Sequence, residues 1–487
     1  MRQLYYTFRT LLRGRGGNLT KIISLTLGLL VGILLFARVA FELNYDSYYQ
    51  EPENLFLTLR TVVSQGEKKE PVCSNYGKLP AAIRENFPDE VEDATLIDLF
   101  SRSSLYHEGQ EKKDAILATS RSHIFSTLGV KVLSGNVSEL DNMDALFISR
   151  SLAQSLFADA DPIGKTVMIN IDYPLTVRGV FEDIPENAEF RFDGVYSFVT
   201  RANRFRDERG GWRGDISYTC MVRFRHPEDV EKVAARMPDM MKKYNKDWFE
   251  EFSFITPSQF HLQKKESRKI ISILSILGFA ILLIAGMNNV LISISSLSYR
   301  AKAVGVHKCN GASGGTVFSM FLLETGIVIL LSLILMVLLL LNFREMIEET
   351  MEVRLTSLFV FGRIWVPLVV VLGLFIVGGV LPGRMFSRIP VSQVFRHYTE
   401  GKKGWKRPLL FIQFLGVAFI CGLMCVIMAQ YHYVLNKNTG YDARSIATSD
   451  IYFDSDSERD AARQFFCGLP YVEDVESASY PPCIGMS

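Results

Sequence analysis

The sequence predicts an α-helical transmembrane bundle joined to an α+β extracytoplasmic domain. Four long apolar runs predict the bundle, at residues 22–41, 270–297, 317–341 and 411–428, and a weaker fifth run lies at 358–381. Each is close to the roughly 20 residues that a helix needs to cross about 30 Å of hydrocarbon. The intervening stretch 44–269 mixes strand-like and helix-like periodicity, which predicts the α+β domain. This layout excludes a soluble enzyme.

The charged residues that flank the apolar runs predict how the helices are oriented. The N-terminal flank and the segment after the second run carry basic residues and no acidic ones, namely Arg2, Arg9, Arg13, Arg15, Lys21, Arg300, Lys302 and Lys308. The segment 383–407 is also strongly basic, whereas the short segment 342–357 is rich in glutamate. Because cytoplasmic loops collect Lys and Arg, we expect a cytoplasmic N-terminus and an external domain.

These features divide the chain into alternating spans and connecting segments. We predict a basic, amphipathic cytoplasmic N-terminus (1–20), spans at 21–43, 270–298, 317–341, 358–382 and 408–430, the external domain at 44–269, a cytoplasmic loop at 299–316, a short external turn at 342–357, a cytoplasmic basic linker at 383–407 and a second external segment at 431–487. A cleaved signal peptide is the alternative for the first span. An uncleaved anchor is favoured, because no Ala-x-Ala site follows the long apolar run.

Short apolar runs bounded by turn residues predict the elements of the external domain. Strands are predicted at 55–63, 145–148, 166–170, 175–181 and 218–224, and helices at 78–86, 151–157 and 227–244. Pro88 and Pro162 follow the first two helices, and proline cannot continue a helix. The interleaving predicts an α+β or α/β domain with one or two subdomains.

No residue pattern in the chain predicts a catalytic residue, a cofactor site or a metal site. The pair Gly164-Lys165 invites comparison with a phosphate-binding loop, but Asp159 stands where that loop needs a glycine. The histidines lack ligand spacing, and the carboxylates are spread as on a solvated surface. A net charge of +1 and a pI near 7.6 also predict that the chain has no nucleic-acid partner.

Three polar residues lie within the predicted spans, where such residues are costly unless they find partners. Asn288 and Asn289 lie near the cytoplasmic end of the second span, and Glu324 lies in the third. The two amides would either hydrogen-bond across helices or lie at the membrane interface. Glu324 would either be paired inside the bundle or lie within a turn or two of the headgroups, and the second alternative is favoured.

Three sets of segments resemble one family of membrane proteins. The sequences SRSLAQSLF (149–157), DPIGKT (161–166) and VRGVFEDIPEN (177–187) resemble the MacB-type periplasmic core domain. The sequences NN (288–289), YRAKAVGVHKCNGA (299–312) and FLLE (321–324) resemble the signature loop and flanking helices of FtsX-like ABC transporter permeases. The sequences RPL (407–409), QF (413–414) and NKNTGYD (436–442) resemble the start of the second half of eight-span members. The chain is identified as a member of this family.

The resemblance implies that the loop 299–316 docks onto an ATPase. The matching residues are Arg300, Lys302, Gly305, His307, Lys308, Gly311 and Ala312. The glycines also permit a tight helix–turn geometry. The loop departs from the family pattern at three places, because Ala303, His307 and Cys309-Asn310 stand where the family has a glutamate, a basic residue and an apolar pair. The loop is therefore less charged than is usual for the family.

The resemblance further implies a permease subunit of an ABC transporter in the bacterial inner membrane. A separate cytoplasmic ATPase would hydrolyse ATP, since this chain has no ATPase motif, and the helices would carry the motion outward to export or extract a substrate. The implied partners are that ATPase, membrane lipids, an extracytoplasmic protein and a second copy or half that completes a dimer or pseudo-dimer. The alternative is a scaffold that transports nothing and relays ATPase motion to an external enzyme such as a cell-wall hydrolase.

The segment 405–454 repeats the order of basic flank, span and external strand that opens the chain. We therefore expect a truncated member of the family whose second external domain is unfinished at Ser487. The alternative is a complete protein with five spans and a short external tail.

Overall fold

The structure is a computed structural model that describes residues 18–64, 67–107, 112–169, 173–204, 211–212, 218–244, 250–295, 305–306, 308–387, 406–437, 446–447 and 456–476. The chain forms two compact units, Met1–Val417 and Ala418–Ser487. Most of the predicted amphipathic N-terminus (1–20) and most of the basic linker 383–407 lie outside the described residues, and residues 18–20 begin the first helix.

The helices of the described residues follow one another along most of the chain. In chain order they are α1 (Asn18–Leu43), α2 (Leu79–Asn86), α3 (His123–Leu128), α4 (Arg150–Phe157), α5 (Phe198–Arg204), α6 (Val230–Tyr244), α7 (Pro257–Gln263), α8 (Lys265–Ser295), α9 (Gly314–Asn342), α10 (Arg344–Met351), α11 (Leu355–Leu358), α12 (Trp365–Phe375), α13 (Leu381–Ser387), α14 (Lys406–Asn436) and α15 (Asp456–Cys467). Within these described ranges, five segments are long and apolar enough to cross a membrane: α1, α8, α9, Phe361–Arg384 and Leu410–Asn436.

The fourth of these segments differs from the single regular helix that the sequence predicts. A 3-10 turn at Phe361–Arg363 precedes α12, and a π-helical turn at Ile376–Val380 separates α12 from α13. Pro367 lies in the first turn of α12, where a helix tolerates proline. Gly378, Gly379 and Pro382 weaken the regular hydrogen-bond ladder, and helices commonly kink at such residues. The predicted external turn likewise contains the short helices α10 and α11.

The extracytoplasmic domain is built on a mixed sheet. In the described chain the sheet has 12 strands in total, and the order along its main path is β12-β1-β11-β4-β5-β10-β7-β9-β6. The strands are β1 (Leu55–Ser64), β2 (Glu67–Lys68), β3 (Ser74–Asn75), β4 (Val91–Tyr106), β5 (Lys113–Ser120), β6 (Val132–Gly135), β7 (Ala145–Ser149), β8 (Thr166–Ile169), β9 (Tyr173–Phe181), β10 (Gly194–Ser197), β11 (Tyr218–Phe224) and β12 (Glu250–Ile255). On the main path, β5–β10 and β7–β9 are parallel and the other neighbours are antiparallel.

Alternating side chains place the core on both faces of the sheet. On β7, Phe147 packs into one hydrophobic cluster while Leu146 and Ile148 pack into another with Leu152 and Leu156 of α4. This alternation follows from the two-residue period of a strand. A third cluster lies where α2 and α6 cover β11, at the other end of the sheet. The sheet is therefore covered by helices rather than exposed to solvent on one face.

The membrane helices enter this sheet through neighbouring strands. Helix α1 leads into β1, and β12 leads through α7 into α8. Strands β1 and β12 pair along six residues, from Leu57 opposite Ile255 to Val62 opposite Glu250. The chain therefore connects each of these two helices to one of two hydrogen-bonded strands at one edge of the sheet.

The structure confirms the α+β fold class and the predicted elements of the domain. The strand predicted at 55–63 is β1, those at 175–181 and 218–224 lie within β9 and β11, and the helix at 151–157 is α4. The helix predicted at 227–244 begins as a 3-10 turn at Pro227–Asp229 and continues as α6. The exact boundaries of spans and domains remain predictions.

Candidate functional site

The first two membrane helices pack more closely than ordinary side chains allow. A Cβ atom added to Gly28 of α1 would lie 2.3 Å from the Cβ of Ala285 on α8. One added to Gly32 would lie 2.4 Å from the Leu282 side chain. Glycines four residues apart are typical of membrane helices whose backbones approach each other. Helices α1 and α8 therefore form a tight pair between two polar regions, one at each end.

The first region, which we call the loop-side cluster, brings four helical segments together near the loop 305–313. It consists of Lys21, Ser24, Asn288, Asn289, Ser293, Glu324, Thr325, Gly378 and Gly379. Lys21 Nζ lies 3.8 Å from Glu324 Oε1, and the two side chains are 4% and 17% exposed. Asn288 Nδ2 donates a hydrogen bond of 2.5 Å to Ser24 Oγ. Most of these side chains line a shared pocket.

The π-helical turn of the fourth segment lines one side of the loop-side cluster. A Cβ atom on Gly378 would lie 2.5 Å from Asn289 Nδ2, and one on Gly379 would lie 3.2 Å from Thr325 Cγ2. The two glycines thus let the backbone of this segment approach the polar side chains of α8 and α9. π-Turns occur frequently at functional sites.

The predicted intramembrane residues all belong to the loop-side cluster. Of the two alternatives that the sequence left open for Asn288, the structure has the hydrogen bond between helices. Asn289 is buried against Gly378. Glu324 is paired with Lys21, which lies one residue before the apolar run of α1. Pairing and a position near the end of the span, the two alternatives for Glu324, are therefore compatible.

The loop that precedes α9 folds as a short helical turn in its described part. Gly305 is buried, Val306 is exposed, and Gly311 adopts a φ of +85° that favours glycine. Lys308 Nζ donates a 2.9 Å hydrogen bond to the carbonyl oxygen of Ser387, the last residue of α13. Ala312 is half-buried beside the cap of α9. Arg300, Lys302 and His307 lie outside the described residues.

The second region, which we call the domain joint, lies where α1 and α8 meet the extracytoplasmic domain. It consists of Arg38, Glu42, Tyr45, Asp46, Glu189, His261 and Lys264. Glu42 uses both carboxylate oxygens: Oε1 lies 2.8 Å from Arg38 Nη2 and Oε2 lies 2.8 Å from His261 Nε2. The second imidazole nitrogen, Nδ1, lies 3.0 Å from Glu189 Oε2. Lys264 also contacts the carboxylate of Glu189.

The geometry of His261 favours its charged form. A neutral imidazole donates through one nitrogen only, whereas both nitrogens here face carboxylate oxygens. Burial opposes the charge, but hydrogen bonds to Glu189 and Glu42 outweigh it and raise the pKa of His261 to about 9. The ring of Tyr45 stacks on the imidazole with centroids 3.6 Å apart and an interplanar angle of 2°. His261 therefore bridges α1 and the domain as a cation.

The chain turns sharply at Asp46 and is held there by the domain. Asp46 has a φ of +58°, and its backbone N–H donates to the carbonyl of Asn187 at 2.8 Å. In return, the N–H of Glu189 donates to Asp46 Oδ1 at 2.8 Å, and Asn187 Nδ2 donates to the carbonyl of Asn44 at 2.6 Å. Burial raises the pKa of Asp46 to about 7, against the lowering effect of the Glu189 N–H.

The segment between α9 and α12 packs against the outside of the joint. Arg354 Nε lies 3.2 Å from Glu186 Oε1, and the Arg354 N–H donates to Glu186 Oε2 at 3.1 Å. Val353 and Leu358 form a small apolar cluster with Ala37 and Phe41 of α1. The joint is thus covered by a third element.

No sequence pattern singles out the joint. Glu42 lies in the last turn of α1, and Asp46 follows that helix, whereas Glu189 lies in the domain between β9 and β10. His261 was noted only as a histidine without ligand spacing. A weak signal existed, because ionisable residues at the end of a span need partners. Among the described residues, no group of three or more His, Cys, Asp or Glu side chains is arranged to hold a metal ion.

Comparisons with known families agree with this architecture. The family of MacB-like periplasmic core domains matches residues 21–240, and the FtsX-like permease C-terminal family matches residues 275–391. The two matches are consecutive and include every residue of the loop-side cluster, whereas His261 and Lys264 of the domain joint lie between them. The chain belongs to the MacB/FtsX type of ABC transporter permeases. The family predicted from the sequence is thereby confirmed, as is a multi-pass protein of the bacterial inner membrane.

Individual relatives of this permease are distant. The macrolide export ATP-binding/permease protein MacB of Neisseria meningitidis is 26% identical over 209 residues, which cover 41% of this chain and 31% of that protein. A domain of a permease protein from Porphyromonas gingivalis is 21% identical, covers 43% of this chain and 91% of that chain, and has a TM-score of 0.37. The periplasmic region of MacB from Actinobacillus actinomycetemcomitans is 18% identical, and the match covers 42% of this chain and 90% of that chain. Its TM-score is 0.30. The match thus spans about a third of the length of the MacB relative.

Proposed function

We propose that this permease is the membrane subunit of an ABC transporter that works by mechanotransmission. A separate cytoplasmic ATPase moves the loop side of the bundle, and the helices carry that movement to the extracytoplasmic domain, which exports or extracts a substrate on the outer side of the membrane. The observation that carries the proposal is the domain joint. It fastens α1 and the segment that leads directly into α8 to the domain, through a network in which Glu42 and Glu189 each contact two cations.

Mechanical transmission requires a stiff connection between the two ends of the bundle. The close approach of Gly28 and Gly32 to α8 leaves little room for α1 to slide or rotate alone. The pair then enters the paired strands β1 and β12. A tilt of the pair therefore changes the position of the whole sheet rather than of one loop, since interiors are packed too densely to absorb it locally.

The proposed orientation places the loop 299–316 in the cytoplasm. Basic residues flank the loop and the N-terminus, and cytoplasmic segments collect such residues. In this loop Val306 is exposed, whereas Lys308 is engaged with the end of α13. We therefore assign ATPase contact to Val306 and Arg300, and to Lys308 the positioning of the loop against the fourth segment.

The docking assignment is tested by purifying the complex from native membranes in mild detergent. The variants Arg300→Glu and Val306→Asp are compared with Lys232→Glu, an exposed charge reversal on α6 far along the chain. We expect the loop variants to lower the recovered ABC ATPase by about tenfold or more, because a charge is reversed or introduced at the contact, which corresponds to about 1.4 kcal/mol or more.

Two outcomes would count against the proposal. Recovery of the ATPase at wild-type level with both loop variants would show that the loop is not its docking site. Absence of any ATPase from an otherwise intact wild-type complex would remove the transporter assignment. Recovery of an external hydrolase together with the ATPase would instead favour the scaffold function over transport.

A further inference from the structure

The domain joint contains two groups whose charge depends on protons, at the place where the membrane helices are fastened to the domain. We propose that the joint is a pH-sensitive latch, which holds α1 and α8 firmly to the extracytoplasmic domain in mild acid and loosens as the pH rises. The consequence for transport rests on the proposed function, whereas the latch itself is a property of this chain. The proton-dependent groups are His261 and Asp46.

His261 holds the latch because it makes two contacts at once. Its nitrogens face Glu42 of α1 and Glu189 of the domain at 2.8 and 3.0 Å. Loss of one proton turns one nitrogen into an acceptor that faces a carboxylate, and two acceptors cannot share a hydrogen bond. Deprotonation therefore breaks one half of the bridge between α1 and the domain.

Asp46 adds a second proton-dependent element at the same corner. Its side chain is buried, and Oδ2 has no hydrogen-bond partner among the described residues, nor does the buried hydroxyl of Tyr49. The carboxylate of Glu189 lies close enough to disfavour a second negative charge. Ionisation of Asp46 thus places a poorly satisfied charge in the joint, which is costly in a buried site.

Both His261 and Asp46 stabilise the joint at low pH and lose that effect as the pH rises. The pKa of His261 is raised from 6.5 to about 9, so its contribution is complete below pH 6.5 and is lost as the pH rises to 9. The pKa of Asp46 is raised from 3.8 to about 7, so the folded joint is favoured below pH 4 and loses that advantage as the pH rises to 7. Glu189, whose pKa is lowered, opposes this only in stronger acid, below 4.5.

Other charged and titratable groups surround His261 and Asp46 in the joint. Arg38 and Glu42 of α1 and Lys264 after α7 supply fixed contacts. Burial raises the pKa of Tyr45 to about 12 and keeps it neutral throughout. Burial also raises the pKa of two further groups near the joint, Tyr49 and Cys73. With a pKa of about 9 for His261 and about 7 for Asp46, the charges of these two groups change between pH 5 and 9.

The latch is tested by hydrogen exchange on the full chain in lipid nanodiscs from pH 5.5 to 9, corrected for the intrinsic rate. The reporters are two backbone amides of the joint. The Asp46 amide donates to the carbonyl oxygen of Asn187, and the Glu189 amide donates to Asp46 Oδ1. We expect their protection to fall by about tenfold or more across this range, since one pKa unit corresponds to a factor of about ten. The amide of Phe147, in the core strand β7, is expected to keep its protection.

Two variants assign the effect. Asp46→Asn cannot ionise, and asparagine tolerates a positive φ, so we expect it to remove the decline below about pH 7.5. His261→Gln is expected to lower protection already at pH 6 and to flatten the decline above pH 7. The control is His123→Gln, because His123 also pairs with a carboxylate, Asp93, but lies outside the joint.

A flat wild-type profile at Asp46 and Glu189 would overturn the latch, whatever the variants do. A wild-type slope retained in both Asp46→Asn and His261→Gln would overturn the assignment to these residues. The measurement contains no ATPase, so its failure is distinct from failure of the docking test.

Discussion

The loop-side cluster and the domain joint lie on the same two helices but are built differently. In the loop-side cluster, Lys21 and Glu324 stand 3.8 Å apart and share a pocket with amide, hydroxyl and apolar side chains. In the domain joint, Glu42 contacts two cations at 2.8 Å each, and His261 joins it to Glu189. Buried charges with two close partners each, such as Glu42 and Glu189, favour one geometry, whereas a longer pair among small polar groups permits small shifts. Under the proposed mechanism, this difference suits a loop side that moves and a joint that holds the domain.

The largest effect is expected from removal of Glu42. The variant Glu42→Ala leaves Arg38 and His261 without their shared carboxylate in a site where the Glu42 side chain is 4% exposed. Breaking a buried ion pair by removing one partner typically costs about 3–5 kcal/mol. We expect a loss of this size in the free energy of opening of the joint, measured by exchange at the Asp46 and Glu189 amides. A loss below about 1 kcal/mol would show that the joint does not hold the domain.

A smaller effect is expected at the loop-side cluster. We expect a double-mutant cycle with Lys21→Met and Glu324→Gln to give a coupling of about 1 kcal/mol, the size that polar interactions between membrane helices usually show. The measurement is reversible unfolding in mild detergent, with Lys68→Met and Glu251→Gln, an exposed pair on β2 and β12, as the matched cycle. A coupling equal to the loss caused by Glu42→Ala would abolish the contrast between the two regions.

The smallest effect is expected at the rim of the joint. Arg354 pairs with Glu186, but the Arg354 side chain is 68% exposed and its partner also accepts from the backbone. Exposed pairs contribute at most about 1 kcal/mol and are screened by salt. Arg354→Ala should therefore change the opening free energy of the joint by less than about 1 kcal/mol, with less effect at high salt. A larger, salt-independent loss would show that the rim contributes more to the stability of the joint than its buried network does.

The sequence predicted the fold well because the fold follows from local patterns. Apolar runs of membrane length, the alternation in β1, the short apolar run of β7 and the helix at α4 are all visible in the local sequence. Ser149 even caps α4 by accepting from the N–H of Leu152, which is a local signal. The resemblance added the family, which these patterns alone do not distinguish.

The joint could not be predicted because its partners are distant along the chain. His261 and Glu42 are separated by 219 positions, and Asn187 and Asn44 by 143. No local period places such residues together, and each looks like an ordinary polar residue at the end of an element. The π-turn was missed for a related reason, since Gly378 and Gly379 allow several backbone paths and contact with Asn289 accompanies the observed one.

Helix α1 carries charged residues of both polar regions, and the distance between them can be compared with the thickness of the membrane. Lys21 and Glu42 are 21 positions apart on one continuous helix, which corresponds to about 32 Å along its axis. The hydrocarbon of a typical bilayer is about 30 Å thick. A thicker or thinner membrane would no longer match the apolar length of α1 between these two charges, at a cost of fractions of a kcal/mol per Å. The helix that would transmit movement under the proposed mechanism therefore also has the length that matches a bilayer of about this thickness.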